Sequence, residues 1–268
     1  MSVRVQGFPS IDELGRDLLA VRGWRITVSL AMPFLLAIGF FVFAGHQRWM
    51  ISVGCAMLLT FFTYGSISHD LVHRTLPLPR TLNEILLFLI ELITLRSGHA
   101  YRVSHLYHHA RFPAADDLEG AAAGMTWWRA LLDGMTLQPR LWAFAFRLGR
   151  DRLWIIAEAI AIGMLLAASA ATIRSTIAPV AYAALMILGS WLFPFVTSFI
   201  PHDAKADTTL KQTRLFRGRV LSIVAFEHLY HLEHHLYPQV PHHNWPELAR
   251  RLDPHFARAG LRPVKLFL

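Results

Sequence analysis

The chain has 268 residues, of which 54% are hydrophobic and only 16% charged. An ordinary soluble domain carries roughly 25% charged residues, so the composition argues against one and for a membrane-embedded chain. The formal net charge of +8 suits an anionic membrane face, an acidic partner or nucleic acid. The single cysteine, Cys55, excludes an intrachain disulfide framework and a cysteine-based zinc site.

Residues 1–23 are mixed and charged and do not read as a secretory signal. Four later stretches approach the roughly 20 apolar residues that a hydrocarbon core requires of a helix. They run from Trp24 to Gly45, Trp49 to about Ile67, Leu153 to about Ala171, and Ile177 to about Ile200. Trp24, Trp49 and Trp154 mark span ends, where amphipathic rings favour the headgroup level. A fifth run, Leu82 to Leu95, is short and carries Glu84 and Glu91. It is expected to be interfacial or partly inserted, with a shorter third span as the competing reading. Leu137 to Arg152 mixes Leu141, Trp142, Phe144 and Leu148 with Arg140, Arg147 and Arg150, the composition of a basic interfacial helix. Trp245-Pro246 opens a last short helix, with Pro254 expected to limit it. The fold class is therefore all-α and membrane-embedded, a single domain over 1–268.

The loops orient the spans. His46-Gln47-Arg48 joins the first two, and a turn at Thr172–Thr176 containing Arg174 joins the last two. The remaining Lys and Arg lie in or beside the N-terminal arm, the 69–152 segment and the C-terminal tail. The positive-inside rule puts those three segments, and both termini, on the cytoplasmic side. The basic charge then has a membrane explanation, and no nucleic-acid partner is expected.

Fifteen histidines cluster on that same side. His69 and His73 stand four apart; His105, His108 and His109 form an i, i+3, i+4 set, as do His231, His234 and His235. Such spacings share a helix face, so each set can converge on one point. With His202, just past the fourth span, they offer nine nitrogens, too many for one ion and suited to two. Imidazole suits iron, zinc, copper and nickel, whereas magnesium and calcium prefer oxygen. His228, one turn before the last set, is a possible ligand or supporting residue. Ligating imidazoles donate their other N–H to a carboxylate or carbonyl; Asp70, Asp203, Glu227, Glu233, Asp116 and Asp117 are candidates. A lone histidine at a membrane surface is ordinarily just polar, the reading given to His46, His99, His242, His243 and His255.

In these residues the chain resembles the membrane fatty acid desaturase superfamily, which includes carotene hydroxylases and ketolases. The three histidine boxes are HDLVH (69–73), HLYHH (105–109) and HLEHH (231–235), in the superfamily's order, with His202 matching an extra histidine between the second and third. The resemblance covers roughly residues 50–245. It implies a histidine-held pair of irons, O2 as co-substrate, and oxidation of a C–H bond in a lipid by desaturation or hydroxylation. The HDxxH form, the acidic FPAADD and HLYHLEHHLYP followed by PHHNWPELARRL look more like carotenoid-ring hydroxylases and ketolases. A fatty acyl desaturase proper is the alternative. No cytochrome b5-like domain is fused, which implies a separate electron donor such as ferredoxin. A divalent-metal transporter or sensor, or a scaffold with a structural metal, is the reading outside this superfamily.

Overall fold

A computed structural model describes residues 7–218 and 228–265; Glu227 and the side chain of His228 lie outside the described residues. Among the described residues, four helices are long and apolar enough to cross a membrane: one within Arg16–Gly45, then Trp49–His73, Arg152–Ala171 and Ala178–Phe199. The first, span one, is regular over Gly23–Gly45 and contains Pro33, a residue that lipid-buried helices tolerate. The only strands among the described residues are Phe216–Arg217 and Val264–Lys265, paired in parallel.

Spans two and four depart from regular helix at corresponding places. Span two is α-helical over Trp49–Phe62, makes a π-turn over Thr63–Ile67, and resumes as Ser68–His73. It was expected to end near Ile67. Instead it runs on to carry the whole HDLVH box, because the π-turn shifts the helical phase without breaking the hydrogen-bond ladder. Arg74, in the left-handed conformation at φ 54°, then ends it. Span four is α-helical over Ala178–Ser190 and has a π-turn at Pro194–Phe199.

The fifth apolar run is the helix Arg80–Ile93. Leu82, Ile85 and Leu89 face outward while Glu84 and Glu91 are buried, so the acids that argued against a span point into the protein. Glu91 bonds Arg96 (Nε to Oε2, 2.7 Å) and accepts from Ser68, and Arg96 also donates to Thr63 Oγ1 at 2.9 Å. This network ties the helix to the π-turn of span two. Glu84 accepts from Arg102 at 2.5 Å and Arg74 at 2.9 Å. His99, expected on the surface, is fully buried between Glu84 (3.0 Å) and Glu158 of span three (2.7 Å), with Trp154 stacked on its ring. The surface reading failed because nothing near His99 in the sequence announces a carboxylate 59 positions away.

The basic interfacial segment is longer and earlier than expected. Its helix is Trp127–Leu148 and ends at Gly149, φ 79°, short of Arg150. Leu137, Leu141 and Ala145 face the protein, while Trp127, Leu132 and Phe146 are exposed. Gly134 allows this helix to lie against the backbone of span four: a Cβ there would stand 1.7 Å from the Trp191 carbonyl oxygen. The C-terminal helix, Trp245–Arg258, passes through Pro254 rather than stopping at it. Pro254 withholds one N–H from the Arg250 carbonyl, and Arg250 is exposed, so water can satisfy that carbonyl.

The N-terminal arm packs on this last helix. Leu14 and Leu18 join Leu232, Leu236, Trp245 and Leu248 in one apolar cluster. Arg251 pairs with Asp17 at 2.6 Å, and Asn244 donates to the Leu18 and Ala20 carbonyls at 2.9 Å. Gly134→Ala is expected to lose about 1–3 kcal/mol of stability through the forced clash. Gly163→Ala, where a Cβ meets nothing within 4 Å, should leave the melting temperature in detergent essentially unchanged.

Candidate metal centre

Helix Ser68–His73 delivers His69 and His73, helix Gly98–Arg111 delivers His105, His108 and His109, and the short helix His231–Leu236 delivers the last set. His202 follows the π-turn of span four. The nine histidines separate into two groups, each with its ligand-type atoms within 4.8 Å of one another: His69, His73, His105, His109 and His234 in one, His108, His202, His231 and His235 in the other. The second and third boxes are thus each divided between groups. His109 and His235 stack at 4.4 Å between centroids, so the groups are neighbours.

The spacing within each group fits a shared cation. In the five-histidine group, Nε2 atoms of His69, His105, His109 and His234 stand 2.8–3.1 Å from their neighbours. In the four-histidine group the corresponding distances are 3.1–3.2 Å. Two imidazole nitrogens about 2.1 Å from one ion, at a right angle, stand about 3.0 Å apart.

Protonation points the same way. Burial first, and neighbouring imidazoles second, hold His105, His109, His202, His231, His234 and His235 well below the usual histidine range, so these rings are neutral. Burial works to lower His108 too, but the hydrogen bond and charge of Asp117 outweigh it and raise this ring. His202 Nδ1 faces the Ser198 carbonyl at 3.2 Å, which can only accept, so its Nε2 presents a lone pair. His108 Nδ1 bonds Asp117 at 2.7 Å. When His108 is neutral with its proton on Nδ1, two lone pairs meet between His108 and His202. A cation between them turns this repulsion into coordination. His73 Nε2 is buried with no hydrogen-bond partner among the described residues, as a ligand atom awaiting an ion would be. The residues therefore fit metal ions.

The supporting carboxylates are partly those expected. Asp117 holds His108 and also accepts from Gly120 N at 3.1 Å. Glu119, which sequence reasoning missed, bonds His105 Nδ1 at 2.7 Å; the signal was its place two residues after Asp117 in the same turn. Burial pushes Glu119 up to about 8. Asp116 instead is exposed, accepting from the Tyr107 hydroxyl at 2.5 Å. Asp203 accepts from the Lys205 backbone at 3.0 Å within its own turn, leaving His202 to Ser198. Glu233 lies two residues from His231, on the opposite helical face, and pairs with Arg217 at 2.7 Å; burial pushes it up to about 7. Asp70 likewise turns away from His69 and takes His242, through the ring at 2.6 Å and the backbone N–H at 3.0 Å. His242, read as a surface residue, is therefore buried, and His243 contacts the Ser29 hydroxyl at 2.9 Å. His46 is exposed as expected. Trp245 stands against both His69 (5.3 Å) and His234 (5.2 Å).

If the two groups act as separate ion sites, His234→Ala and His108→Ala should each remove close to one metal equivalent per chain, read by elemental analysis. Asp117→Asn should retain the fold while weakening metal affinity about 10–100-fold.

A family model described as fatty acid desaturase matches residues 47–266, a stretch that takes in all nine histidines. No curated protein matches the chain. With the order of the boxes, the four spans and the paired histidine groups, that match makes the chain a member of the fatty acid desaturase family.

Proposed function

We propose that this chain is an integral membrane oxidase that uses O2 and two histidine-held irons to oxidise a C–H bond of an apolar lipid. The observation that carries the proposal is a pair of adjoining cavities, one at the lipid-facing surface and one at the histidines, that share Tyr64 and Thr197 as lining. Between spans two and four lies a cavity of about 290 Å³. Ala56, Met57, Phe61, Leu188 and Leu192 line it, and Met57, Leu188 and Leu192 are also exposed on the outer surface. Its inner end is formed by Tyr64 and Thr197, which also line a smaller cavity against His69, His105, His231 and Trp245. A long lipid can lay its reacting end here while the rest stays in the bilayer. The apolar lining excludes water from that end, and the two π-turns contribute both residues at the junction.

Iron bound in the two groups would supply the O2-dependent chemistry that side-chain acids and bases lack. The protein's own part is to hold the imidazoles in place through Asp117, Glu119 and the Ser198 carbonyl, and to position the substrate. The product follows from which carbon is presented: a hydroxyl, a ketone or a double bond.

A carotenoid ring is the favoured substrate. Beyond the sequence features of the boxes, the inner end is walled by stacked flat rings: Tyr64 lies 4.4 Å from Tyr101 and 3.9 Å from Phe193, centroid to centroid. Such a wall offers broad apolar faces to a bulky ring end group and to the conjugated chain beside it. A fatty acyl chain is the second reading, since the groove is predominantly apolar. Electrons come from a separate donor such as an acidic ferredoxin, approaching the basic face. That face is cytoplasmic and holds both termini, in keeping with the N-terminal arm packed on the C-terminal helix.

Two irons per chain and polar carotenoids in a host supplied with β-carotene are the expected results. New unsaturation or hydroxyl groups confined to acyl chains would select the acyl reading, and readily exchangeable zinc without iron would contradict both. Thr197→Phe, which fills the junction, should lower turnover by on the order of a hundredfold through displaced substrate while metal content stays at the wild-type value.

A further inference from the structure

On the outer side of the five-histidine group the surface opens into a cleft of about 480 Å³, lined by His73, Arg74, Arg80, Arg102, Arg150 and Asp151. Three separate elements bring the guanidinium groups together. Arg74 caps the HDLVH helix, Arg102 lies on the HLYHH helix, and Arg80 opens the amphipathic helix. Arg150 sits in the turn before span three. Two carboxylates answer four guanidinium groups. Glu84 is shared by Arg74 and Arg102, and Asp151 bonds Arg102 at 3.1–3.2 Å. Arg80 and Arg150 are exposed and make no ion pair among the described residues.

Arg102 is the informative member. It is only 3% exposed, yet its Nη1 is buried with no hydrogen-bond partner among the described residues. An unused donor on a buried cation is costly unless an acceptor completes it. The cleft offers room for one beside a surplus of positive charge. Guanidinium forks match the oxygens of a phosphate in both geometry and charge.

The position selects the source of that phosphate. Arg150 and Asp151 directly precede the membrane span Arg152–Ala171, so the cleft opens at the level of lipid headgroups. Val72, Val103 and Leu106 complete its wall, giving an apolar surface next to the charges. We propose that this cleft binds the phosphate of an anionic phospholipid headgroup, with the guanidinium groups on the phosphate and the apolar wall against the start of the acyl chains. The bound headgroup would lie against His73. Cytoplasmic leaflets are anionic, and each basic side chain near their surface adds to the attraction.

The test uses the full metal-loaded chain in nanodiscs of phosphatidylcholine doped with phosphatidylglycerol, with retained lipids counted by native mass spectrometry. Arg80→Ala/Arg150→Ala changes two exposed residues that touch neither histidine group. Arg129→Ala, exposed elsewhere, is the control. Wild type and Arg129→Ala should retain phosphatidylglycerol in preference to phosphatidylcholine, and the double variant should lose on the order of tenfold of that preference. Equal preference in all three proteins overturns the proposal. Titration with inorganic phosphate then separates the sources. Displacement of retained phosphatidylglycerol shows that the phosphate supplies the recognition, and retention despite phosphate shows that the intact lipid is required. If the double variant keeps its lipid preference but loses electron uptake from an acidic ferredoxin, the cleft is a protein-docking site and the proposal fails.

Discussion

Nine imidazoles share one buried region, and most of their Nε2 atoms point at one another across about 3 Å. Neutral rings facing lone pair to lone pair repel, and charged rings so close would repel more. A cation held between the nitrogens, or a proton shared as N–H···N, relieves such contacts, and burial raises the cost of leaving them unrelieved. The rest of the fold is arranged around that constraint. Asp117, Glu119 and the Ser198 carbonyl take the outer nitrogens of three rings, which fixes the orientation of those rings. The division into five and four then follows from which rings meet, with boxes two and three each contributing to both groups.

Holding such a region together requires that the helices not move apart. The polar links beneath the histidines are accordingly buried: the ion pairs of Glu91 with Arg96 and Glu84 with Arg102, and the hydrogen bonds of His99 to Glu84 and Glu158. Breaking one partner of a buried pair leaves an uncompensated charge, so these links resist separation of the HLYHH helix from span three and the amphipathic helix. From the other side, the N-terminal arm and the C-terminal helix close over the HLEHH helix through Leu18, Leu248 and Trp245. The π-turns in spans two and four serve the same end. They continue each span toward the histidines while placing Tyr64 and Thr197 in the walls of both the lipid-facing cavity and the smaller cavity beside the histidines.

Local periodicity made the spans, the boxes and the last helix legible in the sequence. Spacings of three and four residues place the histidines of each box on shared helical faces. Distant pairings were a different matter. Nothing near Asp70 signals His242, nothing near His99 signals Glu158, and Glu233 reads as a histidine partner until Arg217 is seen against it. Adjacency in sequence suggested Asp70, Asp203 and Glu233 as supports, yet neighbours one or two positions apart on a helix point different ways. Glu119 was missed because it lies in a turn, where no periodic rule assigns direction. The π-turn in span two was equally hidden, since composition fixes the apolar length of a span and not its helical phase.

The central claim is that the two histidine groups hold two irons in different nitrogen environments. Mössbauer spectroscopy on the full chain, loaded with isotopically enriched iron, tests it most directly. The account expects two quadrupole doublets of equal area, one for the five-histidine group and one for the four-histidine group. A single doublet, or protein that binds no iron while remaining folded, would contradict it.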